Sequence, residues 1–124
     1  MMRCSLTRAI AFHASHQYPD AVAHGHLYRI AVTVTGTLDP VTRSVVELGT
    51  LDEILTQTLT KRLEGRHLNE VIAAAGSDAR WPTCEAIAAW CWQEVASRLP
   101  VEVRLQRVRV AEDDTLWADC TGPG

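Results

Sequence analysis

The apolar positions change period along the chain, and the changes mark out six elements. Residues 2–16 read as an extended segment: Cys4, Leu6, Ile10, Phe12 and Ala14 share even parity and face one side of a strand. Residues 17–23, with Tyr18-Pro19-Asp20, read as a connecting loop. Ile30, Val32 and Val34 alternate with Arg29, Thr33 and Thr35, which predicts a strand over 26–37, stopped at Leu38-Asp39-Pro40. The period then becomes helical. Leu51, Ile54, Leu55, Leu59 and Leu63 form one stripe, and Thr50 with Glu53 fits a capping box at its start. Trp81-Pro82-Thr83 opens a second helix, with Thr83 as cap, Glu85 in the first turn and Pro100 as the stop. Its stripe is Cys84, Ile87, Ala88, Cys91, Val95 and Leu99.

The last segment is a strand with a phase change. Val101, Val103 and Leu105 are odd, whereas Val108 and Val110 are even, so one extra residue sits near Gln106-Arg107 as a β-bulge. Glu112 keeps the parity of Val108 and Val110. It therefore points inward from an apolar face, where an unpaired carboxylate is costly, and needs a protein group or a ligand as partner. An arginine would serve as well as a ligand. Residues 115–121 form the closing strand.

Composition adds limits. A chain of 124 residues with 47% apolar and 22% charged residues suits one globular domain, 1–124, and excludes a disordered or collagen-like chain. No apolar run approaches the ~20 residues of a membrane-spanning helix. The first sixteen residues lack the apolar stretch of a secretory signal. Net charge is −3, and Lys61 is the single lysine. No dense basic stripe marks a nucleic-acid surface. Cys4, Cys84, Cys91 and Cys120 form no C-x-x-C pair, and we expect reduced thiols in a cytoplasmic protein.

The candidate chemistry lies in the histidines. His24-Gly25-His26 puts two imidazoles on one face of a strand start, their Cα atoms roughly 6.5 Å apart. His16 ends the preceding strand, and the short loop lets the two strands pair antiparallel, turning His16 toward the same point. Three neutral imidazoles with an open fourth position make a catalytic zinc arrangement. Gly25 would let the backbone pass close to the metal or turn sharply. His13 has the opposite parity and reads as a surface or hydrogen-bonded imidazole.

Phe12-His13-Ala14-Ser15-His16, His24-Gly25-His26, Leu68-Asn69, Pro82-Thr83-Cys84-Glu85 and Glu112 followed by Thr115-Leu116-Trp117-Ala118 resemble, in order, the markers of the 6-pyruvoyl- and 6-carboxy-tetrahydropterin synthase family. The resemblance runs from about residue 8 to 120. It implies an α+β T-fold, a four-stranded antiparallel sheet with two helices on one face in the order ββααββ. Such domains assemble as trimers or hexamers around a barrel, with the pocket between subunits. The exposed edges of a lone sheet, short of lysine, point to self-association too. The resemblance also implies that His16, His24 and His26 bind Zn²⁺ and that Glu112, followed by Asp113 where the family has Thr, grips a pterin ring. A carboxylate suits that task, because it can accept from the ring's 2-amino group and N3–H together.

The departures concern acid–base residues. The family's cysteine base, four residues before the H-G-H in bacterial relatives, is Asp20 here. The family's L-D-H-x-x-L-N reads Leu63-Glu64-Gly65-Arg66-His67-Leu68-Asn69. Glu64 replaces the Asp, Gly65 the His, and His67 lies two residues further on. Asp20, Glu64 and His67 are thus the candidate proton-moving set, with a solvated loop residue as the alternative for Asp20. Three functions remain open: a zinc-dependent pterin enzyme acting on 7,8-dihydroneopterin triphosphate or a relative, a pterin- or purine-binding protein that lacks the reaction, and a structural T-fold oligomer with incidental histidines.

Overall fold

The computed structural model describes residues 1–19, 21–74 and 81–124. Four strands, β1 (Arg3–His16), β2 (His24–Thr37), β3 (Arg104–Asp113) and β4 (Leu116–Cys120), form one antiparallel sheet in sequential order. The helices fall between β2 and β3. They are α1 (Leu48–Leu55), a π-helical turn (Thr56–Thr60), α2 (Lys61–Leu63), α3 (Leu68–Ala74) and α4 (Cys84–Ala96). No helix of the described residues is long and apolar enough to cross a membrane.

The even-parity face of the hairpin is the core face, as the alternation predicts. Phe12 and Ala14 on β1 and Tyr28, Ile30, Val32 and Val34 on β2 are buried together. Arg8 breaks the apolar row, and its guanidinium reaches Asp52 of α1 through two hydrogen bonds of 2.8 and 3.0 Å. From the helices, Leu51, Leu55, Leu59 and Leu63 fill the space above the sheet. A side chain of that size contributes about 1.5–3 kcal/mol when fully buried, which is what keeps the helical layer on the sheet.

Helix α1 starts earlier than the capping-box pattern predicts. Glu47 occupies the cap position with extended backbone and no side-chain cap bond, and Glu53 accepts from Gln57 instead of reaching back. Val46 before the cap and Leu51 in the second turn are both buried. That arrangement is a hydrophobic staple, and it sets the entry of the chain in place of Thr50. The Thr83 cap of α4 is as expected, its Oγ1 accepting from Ala86 N at 3.1 Å. Short α3, beginning at the Leu68-Asn69 motif, has no counterpart in the periodicity reading. All four cysteines are free thiols. Burial raises the Cys91 thiol pKa far above its usual value.

Strand β3 carries two irregularities. Between Thr33 and Val34 of β2 the partner steps from Arg107 to Leu105, leaving Gln106 as the extra residue that the phase change predicts. A second shift between Ala111 and Asp113 leaves Glu112 unpaired against β4. An unpaired strand residue is re-aimed by its bulge, and this one turns toward the histidines.

Candidate metal centre

Strand register brings the three imidazoles together. His16 pairs with His24, and Ala14 pairs with His26, at the loop end of the β1–β2 hairpin. His16 Nε2 lies 3.1 Å from His24 Nε2 and 3.1 Å from His26 Nε2. One ligand atom from each residue lies within 4.8 Å of the other two. Nitrogens bound at ~2.0–2.1 Å around one tetrahedral ion are separated by little more than 3 Å, so the spacing fits a single metal.

The hydrogen bonds around the rings favour the same reading. His24 Nδ1 faces the carbonyl oxygen of Val22 at 3.0 Å. A carbonyl only accepts, so Nδ1 carries the proton and Nε2 presents its lone pair inward. Such an outer partner fixes tautomer and orientation in metal-binding histidines. His16 is fully buried and its Nδ1 lies 2.9 Å from the Tyr28 hydroxyl. Burial lowers the pKa of His16, while the charge of Glu112 pulls the other way. The ring is thus kept in the neutral form that a metal requires. Burial and then Glu112 raise Tyr28, and the same pair of causes lifts Tyr18 to about 12, so both stay as phenols.

Glu112 has the partner that its inward position demands. Its Oε1 lies 3.3 Å from both His16 Nε2 and His26 Nε2, and the side chain is 11% exposed. The partner is the imidazole pair, not an arginine. Three converging nitrogens and one carboxylate form a cation-seeking site, which fits the Zn²⁺ expected from the sequence. Asp113 sits beside it but is engaged elsewhere. Its carboxylate accepts from Thr115 N and Thr115 Oγ1, both at 2.7 Å, and those bonds hold its pKa below the usual range. It closes the β3–β4 turn.

Glu64 and His67 lie on the other side of β1. Gly65 N donates to His13 O at 2.7 Å and Ser15 N donates to Arg66 O at 3.0 Å, so residues 64–67 run along the free edge of the strand. Glu64 receives the backbone N–H of His13 at 2.8 Å. The His67 Nδ1 lies 2.9 Å from Ser15 Oγ. His13 and Ser15 have the parity opposite to His16, so within one chain these groups are separated from the triad by the strand itself. Asp20 lies outside the described residues. Gly25 differs from expectation. Its φ is not positive, and an added Cβ would meet Ala14 O at an ordinary 3.6 Å. The backbone does not require glycine there, and the residue instead borders a cleft on the outer face.

Sequence reasoning missed Tyr28, and it gave Asn69 only as part of a family marker, without a role. Tyr28 was findable, since it follows His26 by two residues and shares its face. Asn69 clamps the backbone of Gln17, accepting from its N at 2.9 Å and donating to its O at 2.8 Å. That clamp fixes the residue after His16, and no local pattern announces it.

Fold and site together define a small α+β domain with a tri-histidine centre beside a semi-buried carboxylate. The family model for 6-pyruvoyl tetrahydropterin synthase matches residues 5–123. The chain belongs to that family. It is 32% identical over 91 residues to 6-pyruvoyl tetrahydrobiopterin synthase of Homo sapiens, a match covering 73% of this chain and 61% of that protein. With the Drosophila melanogaster protein of the same name it shares 27% over 100 residues, 81% of this chain and 58% of the relative. The chain thus spans about three-fifths of the length of these relatives. The solved 6-pyruvoyl tetrahydropterin synthase of Caenorhabditis elegans superposes with a TM-score of 0.84 at 20% identity, covering 99% of this chain and 98% of that one. The Plasmodium falciparum structure gives 0.71 at 14%, covering 95% and 96%. The T-fold assignment stands on these superpositions.

Proposed function

We propose that this chain is a zinc-dependent lyase of the 6-pyruvoyl- or 6-carboxy-tetrahydropterin synthase type, a single cytoplasmic domain acting on 7,8-dihydroneopterin triphosphate or a related dihydropterin. The observation that carries this reading is the convergence of His16, His24 and His26 on one point beside Glu112. Zinc held there supplies a Lewis acid for an oxygen of the ligand's side chain. Glu112 accepts the paired N–H groups of the pterin ring, and Asp113, by fixing the adjoining turn, holds that carboxylate in place. Tyr28 keeps the His16 ring aimed inward, and the burial of His16 excludes water from behind it. Removing a proton from carbon needs a positioned base. Asp20 is the candidate from its own chain, with Glu64 and His67 reaching a ligand only across a subunit boundary in a trimer or hexamer.

The test is metal analysis of protein purified without added metal, followed by incubation of the zinc form with 7,8-dihydroneopterin triphosphate. Stoichiometric zinc and a changed pterin product support the reading, and turnover that survives Asp20→Asn removes Asp20 from it. The second reading, a pterin- or purine-binding protein without synthase activity, is favoured by the replaced acid–base residues at 20, 64 and 65. Tight pterin binding that needs Glu112, unaccompanied by any product, would select it.

A further inference from the structure

We infer that His13, held by Glu64, is the imidazole that moves protons for a ligand seated at the histidine centre of a neighbouring copy of this chain. The inference rests on the pterin reading above. His13 is a core-strand neighbour of Phe12 and Ala14 but points the other way, with 74% of its side chain exposed. Glu64 grips it twice. One carboxylate oxygen accepts the His13 backbone N–H at 2.8 Å, and the other lies 3.6 Å from ring Nδ1. The second ring nitrogen, Nε2, makes no hydrogen bond among the described residues. A carboxylate near Nδ1 with Nε2 presented outward is an arrangement that steadies an imidazolium.

An exposed pair of this kind contributes little to stability, yet the chain builds a frame around it. Residues 64–67 are bonded to the edge of β1 through Gly65 N, Arg66 O and the His67 ring. Gly65 has φ +71°, and a Cβ there would meet nothing within 4 Å. The space beside the His13–Glu64 pair is therefore open. It belongs to a cleft of about 410 Å³ bordered by His13, Ser15, Gly25, His26, Leu27 and Arg66, a size that admits a small ring system. Exposed Leu27, paired with His13 across the strands, gives that cleft an apolar wall. His13 and His16 leave β1 on opposite faces, so the His13 ring is turned away from the triad of its own chain. On this inference a second copy brings its triad to the cleft, and the site is incomplete in one chain.

The step is balanced within the ligand. A C–H or O–H proton passes to neutral His13 Nε2, and the electron pair of that bond stays on the ligand. The imidazolium then returns the proton to another atom of the same ligand, leaving the protein unchanged. Glu64 acts through His13 and is a positioning residue.

Zinc-loaded wild type, His13→Gln and Glu64→Gln are compared with 7,8-dihydroneopterin triphosphate as substrate. For His13→Gln we expect kcat to fall roughly 100-fold or more, zinc content and dihydroneopterin affinity to stay within about threefold, and added imidazole to restore part of the rate. Glu64→Gln should give a smaller loss and displace the pH profile. In ¹⁵N spectra of wild type, the His13 ring signals should move when 7,8-dihydroneopterin binds. Hybrid oligomers of His13→Gln with His24→Ala should regain activity that neither parent has. Unchanged kcat in His13→Gln, with wild type active, overturns the inference alone. Absence of recovery in the hybrids overturns the assignment to a neighbouring copy. A wild-type protein that binds pterin without turnover overturns both the enzyme reading and this one.

Discussion

The two faces of β1 carry two histidine sites built on different principles. On the core face, His16 is buried and its position follows from strand pairing, since His24 and His26 stand across from it in register. On the outer face, His13 and Ser15 meet Glu64 and His67, which arrive from a distant segment and are held by a few edge hydrogen bonds. The first site is over-determined by the sheet, whereas the second depends on the docking of one loop. The difference teaches which perturbations each site should tolerate.

The largest effect is expected at the core face. His16→Ala should cost more metal affinity than the ~10–100-fold lost with an outer partner, as measured by competition with a chromophoric chelator, while His13→Gln should bind metal normally. Chelation comes next. Zinc at 100–1,000 times its Kd stabilises by about 3–4 kcal/mol, so stripping it should lower Tm by about 10 °C or more. An unchanged Tm would dissolve the contrast between the faces. Tyr28→Phe should weaken metal binding about 10–100-fold without unfolding the protein, since it removes only the hydroxyl facing His16 Nδ1. Asn69→Ala should cost about 1–3 kcal/mol in urea unfolding, as it strips both bonds to the Gln17 backbone. Metal affinity should change less than for Tyr28→Phe.

The smallest effect concerns pH, far from either site. Arg109 holds Asp119 through hydrogen bonds of 2.7 and 3.0 Å, which puts the Asp119 pKa below its ordinary value. A depressed carboxylate adds stability above its unfolded pKa of ~3.9 and loses it as pH falls through the lower folded value. The pair is about a third exposed, so solvent screening keeps its worth small. Asp119→Asn should be slightly less stable than wild type at pH 7, and the gap in urea midpoint should close below about pH 4.

Sequence made the core-face site legible because period-two alternation and a short loop together dictate register. His16, His24, His26 and the inward Glu112 all follow from parity. The outer site was hidden for the same reason that it is fragile. Nothing in the pattern around Glu64 says which strand edge the segment will lie on, so Glu64 could be named without its His13 partner. His67 could likewise be named without its Ser15 contact. Helix α1 illustrates a smaller miss, where a capping box at Thr50 and a buried apolar pair around Glu47 competed and the buried pair prevailed. The motif resemblance supplied the fold and ligand set in advance, whereas the turn-closing role of Asp113 required coordinates.

Gln106 lies far from the histidines, and its side chain accepts a hydrogen bond from the hydroxyl of Ser5. Even so, its bulge is what lets the odd positions before it and the even positions after it share one face of the sheet. Deleting Gln106 would straighten the strand and leave Val108, Val110 and Glu112 facing inward, whereas one added residue, not absorbed by a further bulge, would carry all three outward together, leaving three imidazoles with no acid beside them. This strand therefore tolerates losing a residue better than gaining one, and a one-codon insertion there would be felt at a centre it never touches.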